Sequence, residues 1–227
     1  MTRRCYQLSC LLLALALVAT ACGGSASPTA PGATIPDASR RGIVVLGDSL
    51  AVSPSRTESF PAILQSRLNT AHPGWTIRND GIIGDTTSDG IRRIDAALTA
   101  DTAILVLELG ANDGLRGDSI ASIEANLGTM IERAQAKSVR VLLCGMETLP
   151  FNGVNYALEF HQVFPRVAAR YNVPLVPFLL EGVALIPEFN LGDGIHPNAA
   201  GARRIADTVW PYLQPLVLQA STPNYGT

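Results

Sequence analysis

From residue 43 onward, short unbroken apolar runs alternate with longer stretches in which apolar positions recur every three or four residues. That alternation is the mark of parallel β-α-β units. The runs predict strands at Ile43–Gly47, Thr76–Asn79, Ala103–Leu109, Val139–Gly145 and Leu175–Phe178. The periodic stretches predict helices near 59–70, 88–99, 119–136, 153–171 and 199–218. In the third helix Ile120, Ile123, Leu127, Met130, Ile131 and Ala134 form one stripe, while Glu124, Glu132 and Arg133 fall elsewhere, so one face is buried. Ala103-Ile104-Leu105-Val106-Leu107 is apolar without alternation, which requires cover on both faces of a sheet. The expectation is a three-layer α/β/α, flavodoxin-like domain over residues 42–220, with a five-stranded parallel sheet in the order 2-1-3-4-5. In that order the loops after the first and third strands part at the switch point and open a crevice at the carboxyl ends of the strands.

Those loops carry the chemistry. Gly47-Asp48-Ser49-Leu50 follows the first strand and offers Ser49 as a nucleophile, which a hydroxyl becomes only when a base removes its proton. Asp193-Gly194-Ile195-His196-Pro197 supplies that base, His196, with a carboxylate three residues away to fix its tautomer. The other two histidines are placed poorly: His72 precedes the second strand, at the wrong end of the sheet, and His161 is mid-helix between Phe160 and Phe164. A developing oxyanion needs fixed donors. The backbone N–H of Ser49, the N–H of Gly84 after the second strand and the side-chain amide of Asn112 after the third are the candidates. Asp48 and Asp85 read as loop braces, Asp113 as a cap, and Cys144, inside an apolar strand, as a packed thiol. Met146, Leu149, Pro150 and Phe151, after the fourth strand, read either as ordinary packing above a helix or as a wall for an acyl chain.

The N-terminus has a different character. Arg3 and Arg4 precede an apolar run from Leu11 to Ala19, and small residues then lead to Cys22, which is the pattern of an export signal over residues 1–21. The run is shorter than the roughly 20 residues a membrane span requires. Cys22 stands where a bacterial lipoprotein carries its acylated cysteine; cleavage near Ala21 or Ala26 to a free product is the alternative. Residues 22–41, rich in Gly, Ser, Thr, Ala and Pro, form a tether, and residues 221–227 a tail. The chain has four cysteines; Cys5 and Cys10 leave with the signal, so no disulfide framework is expected. Removing Arg3 and Arg4 from 17 basic residues leaves 15 against 19 acidic ones. This excess of acid, with arginine pairs such as Arg92-Arg93 and Arg203-Arg204 read as solvated helix faces, argues against nucleic acid as a partner.

Gly47-Asp48-Ser49-Leu50, Gly84, Gly110-Ala111-Asn112-Asp113 and Asp193-Gly194-Ile195-His196-Pro197, in this order, resemble the sequence blocks of the SGNH (GDSL) hydrolases. Leu107–Gly117 and Val173–Phe178 are similar to the thioesterase, lysophospholipase and arylesterase type within it. The resemblance covers the whole domain and implies Ser49 as nucleophile, His196 as base, Asp193 as its orienter, and Ser49, Gly84 and Asn112 as the oxyanion hole. It implies neither metal nor organic cofactor, and it tilts Met146, Leu149, Pro150 and Phe151 toward acyl binding. Ala51-Val52-Ser53-Pro54 departs from the glycine-containing continuation usual after the serine. The reading is an exported, lipid-anchored, monomeric serine esterase of the periplasm or cell envelope. Its substrates would be small acyl esters: lysophospholipids, aryl esters or thioesters. A carbohydrate deacetylase of the same family and a non-catalytic binding module are the alternatives; sparse aromatic residues near the motifs weaken the sugar reading.

Overall fold

The computed structural model describes residues 39–222, so the signal, Cys22 and most of the tether and tail lie outside the described residues. Its five parallel strands are β1 (Gly42–Gly47), β2 (Thr76–Asn79), β3 (Thr102–Glu108), β4 (Arg140–Cys144) and β5 (Leu175–Val176), in the order β2-β1-β3-β4-β5. The helices are α1 (Phe60–Ala71), α2 (Thr87–Ala97), α3 (Ala111–Arg116), α4 (Ile120–Ala136), α5 (Val154–Tyr171) and α6 (Ala199–Ser221). β1 and β3 are buried along their whole length, as unalternating apolar strands must be. Helices α1 and α6 pack together, and α2, α4 and α5 pack in a row. Ile123, Leu127, Met130, Ile131 and Ala134 of α4 are buried as the stripe predicts.

Where the elements depart from expectation, local chemistry explains it. Helix α2 starts at Thr87 because Thr86 and Asp89 form a reciprocal capping box. Strand β5 stops at Val176 because Pro177 has no N–H to continue the ladder. Helix α3 was expected as loop: Asn, Asp and Gly dominate its six residues, and it is too short to display a period. Its ends are set by Gly110 (φ 123°) and Gly117 (φ 77°). What holds it is tertiary. The buried carboxylate of Asp113 accepts from the backbone N–H (2.9 Å) and hydroxyl (2.5 Å) of Thr87, so α3 caps the start of α2.

Replacing Asp113 by Ala leaves two buried donors without acceptors, and we expect a loss of about 1–3 kcal/mol. Urea unfolding measures this; an unchanged midpoint would mean that water satisfies the Thr87 donors.

Candidate active site

Strand β1 ends at Gly47 and the chain turns at once. Asp48 Oδ1 accepts from Leu50 N at 2.9 Å, and the Ser53 hydroxyl donates to Ser49 O at 2.8 Å, so Ser49 sits on a braced turn at the carboxyl end of the sheet. The His196 loop reaches it from the far side of the sequence. Gly194 takes φ 73°, a conformation that suits glycine, and this lets Asp193 fold back on His196. Asp193 Oδ1 accepts from the backbone N–H groups of Ile195 (3.0 Å) and His196 (2.9 Å), while Oδ2 meets His196 Nδ1 at 2.6 Å. His196 Nε2 lies 2.8 Å from Ser49 Oγ. The hydrogen bonds from Ile195 and His196 hold the Asp193 carboxyl down at about 2, so it is ionised wherever the imidazole would act as a base. This hydroxyl, imidazole and carboxylate are connected as a nucleophile, base and orienter must be.

Gly84 has φ 82° and open space where a side chain would project. Asn112, near the start of α3, donates through Nδ2 to Asp48 Oδ2 at 3.0 Å and to Asp85 O at 2.9 Å. The amide is therefore held rigidly, with both of its N–H groups bonded, and donation to a further oxygen requires exchanging one of those bonds. Asp48 and Asp85 brace the loops as expected, Asp85 through a 2.6 Å ion pair with Arg93 Nε. The arginine pair divides. Arg92 is exposed, but Arg93 is mostly buried and also donates to Gly47 O (2.7 Å) and Asp80 O (2.6 Å), so the expectation of a solvated face fails for it. Only folding brings those carbonyls to the guanidinium.

Next to Ser49 and His196 is a cavity of about 250 Å³, lined mainly by apolar groups that include Leu50, Ala111, Leu115, Met146, Leu149, Phe178, Leu180, Ala184, Leu185 and Ile195. Met146 and Leu149 are part of that lining. Pro150 and Phe151 fall outside the lining: they begin a 3-10 turn, Pro150–Asn152, and Phe151 is 75% exposed. The Asn152 amide binds Gly114 O instead, so this turn packs on α3. Leu180, Ala184 and Leu185 belong to the irregular segment between β5 and α6, where no period or motif could have marked them. A larger open groove of about 830 Å³ lies at the other end of the sheet, near the start of β4, and contains no histidine or carboxylate. Among the described residues no three His, Cys, Asp or Glu side chains gather as a metal site would need. The remaining histidines stay away: His72 faces Trp210, and His161 pairs with Glu147 at the surface. Cys144 is fully buried, with its thiol pushed up by burial.

One feature of the site has no counterpart in the sequence reading. Asp48 and Glu108 are both fully buried, and Glu108 Oε2 accepts from Asp48 N at 3.1 Å. Burial raises the Asp48 carboxyl to about 7, with Asp113 adding to the rise, and burial lifts Glu108 well above its ordinary value, with Asp48 adding to it.

A hydroxyl bonded to an imidazole that in turn meets a carboxylate thus sits at the carboxyl end of a doubly wound parallel sheet. The chain belongs to the GDSL-like lipase/acylhydrolase family, whose profile matches residues 45–204, and is an ester hydrolase of that family. It is 39% identical to Esterase TesA of Pseudomonas aeruginosa over 77% of this chain and 89% of that one. It is 36% identical to an Arylesterase of Vibrio mimicus over 74% and 85%, and to the Escherichia coli K12 protein named Thioesterase 1/protease 1/lysophospholipase L1 over 77% and 84%. A crystal structure of TesA superposes with a TM-score of 0.73 at 38% identity, covering 77% of this chain and 99% of that one. The SGNH-hydrolase family esterase AlinE4 does so at 0.64 and 34% identity, covering 78% and 96%.

Because Asp48 has a folded value near 7 against 3.8 for the free carboxyl, the folded chain binds its proton more tightly, and on this account stability falls as pH rises from about 4 to about 7. We expect Asp48→Asn to gain stability relative to the native chain across that window, and to lose activity because its amide would oppose Asn112 Nδ2. Urea unfolding at several pH values checks the first part; a stability difference independent of pH would locate the titrating charge elsewhere.

Proposed function

We propose that this chain is an exported serine esterase that cleaves acyl esters through an acyl-enzyme intermediate. Ser49 Oγ attacks the ester carbonyl while His196 Nε2 takes the hydroxyl proton, and Asp193 stabilises the resulting imidazolium at Nδ1. The tetrahedral oxyanion accepts from Ser49 N, Gly84 N and Asn112 Nδ2. Its collapse expels the alcohol, which receives the proton from His196. Water, deprotonated by the same imidazole, then releases the acid and restores Ser49. The observation that carries this reading is the unbroken connection from Asp193 Oδ2 through His196 to Ser49 Oγ, at 2.6 and 2.8 Å.

The substrate reading rests on the apolar cavity. At about 250 Å³ it is smaller than the roughly 300–1,000 Å³ of a site for a drug-sized molecule, which fits a single acyl chain with its headgroup outside. Ile82, Ile83, Leu115, Phe151 and Leu185 are exposed on the segments that follow β2, β3, β4 and β5, so the mouth of the crevice is rimmed by apolar surface. Such a rim suits lipidic esters such as lysophospholipids better than glycans. The relatives named arylesterase and thioesterase 1/lysophospholipase L1 support the same substrate classes. Export rests on Arg3, Arg4 and the apolar run to Ala19, with Cys22 as the site of lipid attachment. The mass of the mature N-terminus tests it: an uncleaved chain removes export, and cleavage without acylation removes the anchor.

A fluorophosphonate probe is expected to label the native protein and not Ser49→Ala; equal labelling of both would remove Ser49 as nucleophile, and labelling of neither would favour a binding module. Asn112→Ala should lower kcat by about 10²–10³ with the fold intact, the usual cost of one oxyanion donor. On p-nitrophenyl esters of increasing chain length, Leu149→Ala should move the optimum to longer acyl groups and Ala184→Leu to shorter ones. Activity confined to acetyl esters in all three proteins would instead favour the deacetylase.

A further inference from the structure

Glu108 ends β3 and pairs in register with Gly47, the residue before the Ser49 turn. A side-chain carbon at Gly47 would come within 2.2 Å of Glu108 Oε2, so the sequence keeps glycine there and gives the space to the carboxyl group. That oxygen accepts from Asp48 N, and the carboxyl also takes a backbone hydrogen bond from Ala51. Asp48, itself buried, holds Leu50 N and the Asn112 amide. Two carboxyl groups therefore grip the same turn: Glu108 takes the residues on either side of Ser49 and Leu50, and Asp48 fixes Leu50 and an oxyanion donor.

The surroundings of Glu108 decide its charge state. Arg93, the cation facing it from α2, spends its donors on Gly47 O, Asp80 O and Asp85 Oδ2. Cys144 faces it from β4 and Asp48 from the turn; beyond Asp48 are Asp113 and His196. Oε1 of Glu108 is buried without a hydrogen-bond partner. A buried carboxylate with an unpaired oxygen, no bonded cation and a second carboxylate alongside is strongly disfavoured. A neutral acid suits the place and adds no negative charge beneath the point where an oxyanion forms.

We infer that Glu108 is a positioning residue for acyl transfer, a neutral carboxylic acid that fixes the amides around Ser49 so that its hydroxyl and N–H address one substrate atom. This rests on the reading of Ser49 as nucleophile. Glu108 does not line the acyl cavity, so its effect is on kcat and not on KM.

The experiment compares Glu108→Leu and Glu108→Gln with the native enzyme on an aryl ester across pH, alongside infrared difference spectra at pH 8. Glu108→Leu removes the acceptor and should lower kcat about 10- to 100-fold with KM near native, as small misplacements at a reacting centre do. Glu108→Gln retains a carbonyl acceptor without charge; it should recover most of that rate, with a pH profile that superimposes on the native one. The native spectrum should contain the carbonyl stretch of a protonated buried acid that Glu108→Gln lacks. Native kcat in Glu108→Leu overturns the positioning role. An acid limb displaced in Glu108→Gln, or no missing carbonyl band, overturns the neutral form. If Glu108→Leu does not fold, the glutamine variant and the infrared band still decide. The band is independent of Ser49, so its absence is separable from a failure of probe labelling there.

Discussion

The hydrogen bond between Ser49 Oγ and His196 Nε2 joins residues 147 positions apart, and the sheet exists largely to hold its two ends still. A 2.8 Å contact between loops survives only if neither loop drifts. At one end Ser49 follows a strand buried on both faces, which fixes the origin of its turn. At the other end the irregular segment before α6 is stitched to itself. Asn190 donates to Val183 O and Ile186 O, Leu191 N donates to His196 O at 2.8 Å, and Asn198 caps α6 through Ala200 N and Gly201 N. These bonds satisfy backbone groups that a loop of this length would otherwise leave to water, and they convert it into a rigid mount for the imidazole.

The nucleophile end is built at an energetic cost. Asp48 and Glu108 lie in a part of the molecule where any apolar pair would be easier to bury, and both are pushed toward their protonated forms. In return they accept from backbone N–H groups of the turn, Glu108 from Asp48 N and Asp48 from Leu50 N. Asp48 also accepts from the Asn112 amide, so the Ser49 turn and Asn112 share one support.

The apolar cavity shares the loops that carry Ser49 and His196: its walls come from the segments after β1, β3, β4 and β5, with Leu50 next to Ser49 and Ile195 next to His196. Met146 and Leu149 line it from a segment that contributes neither Ser49 nor His196, whereas Leu180, Ala184 and Leu185 belong to the segment whose hydrogen bonds hold His196 in place.

Periodicity was enough to read the five strands, their order and five of the helices, and motif order was enough to read the family. These are legible because unalternating apolar runs fix a buried parallel sheet, and such a sheet puts the loops after its strands on one side. Short elements were not legible: α3 has six residues and owes its existence to Asp113 reaching Thr87, a contact across 26 positions. Nor were Arg93, Glu108, Leu180 and Ala184, whose roles depend on which carbonyl, amide or empty volume lies opposite. Residue order along the chain determines periodicity and local turn chemistry; burial, charge state and cavity shape depend on neighbours that only the folded chain supplies.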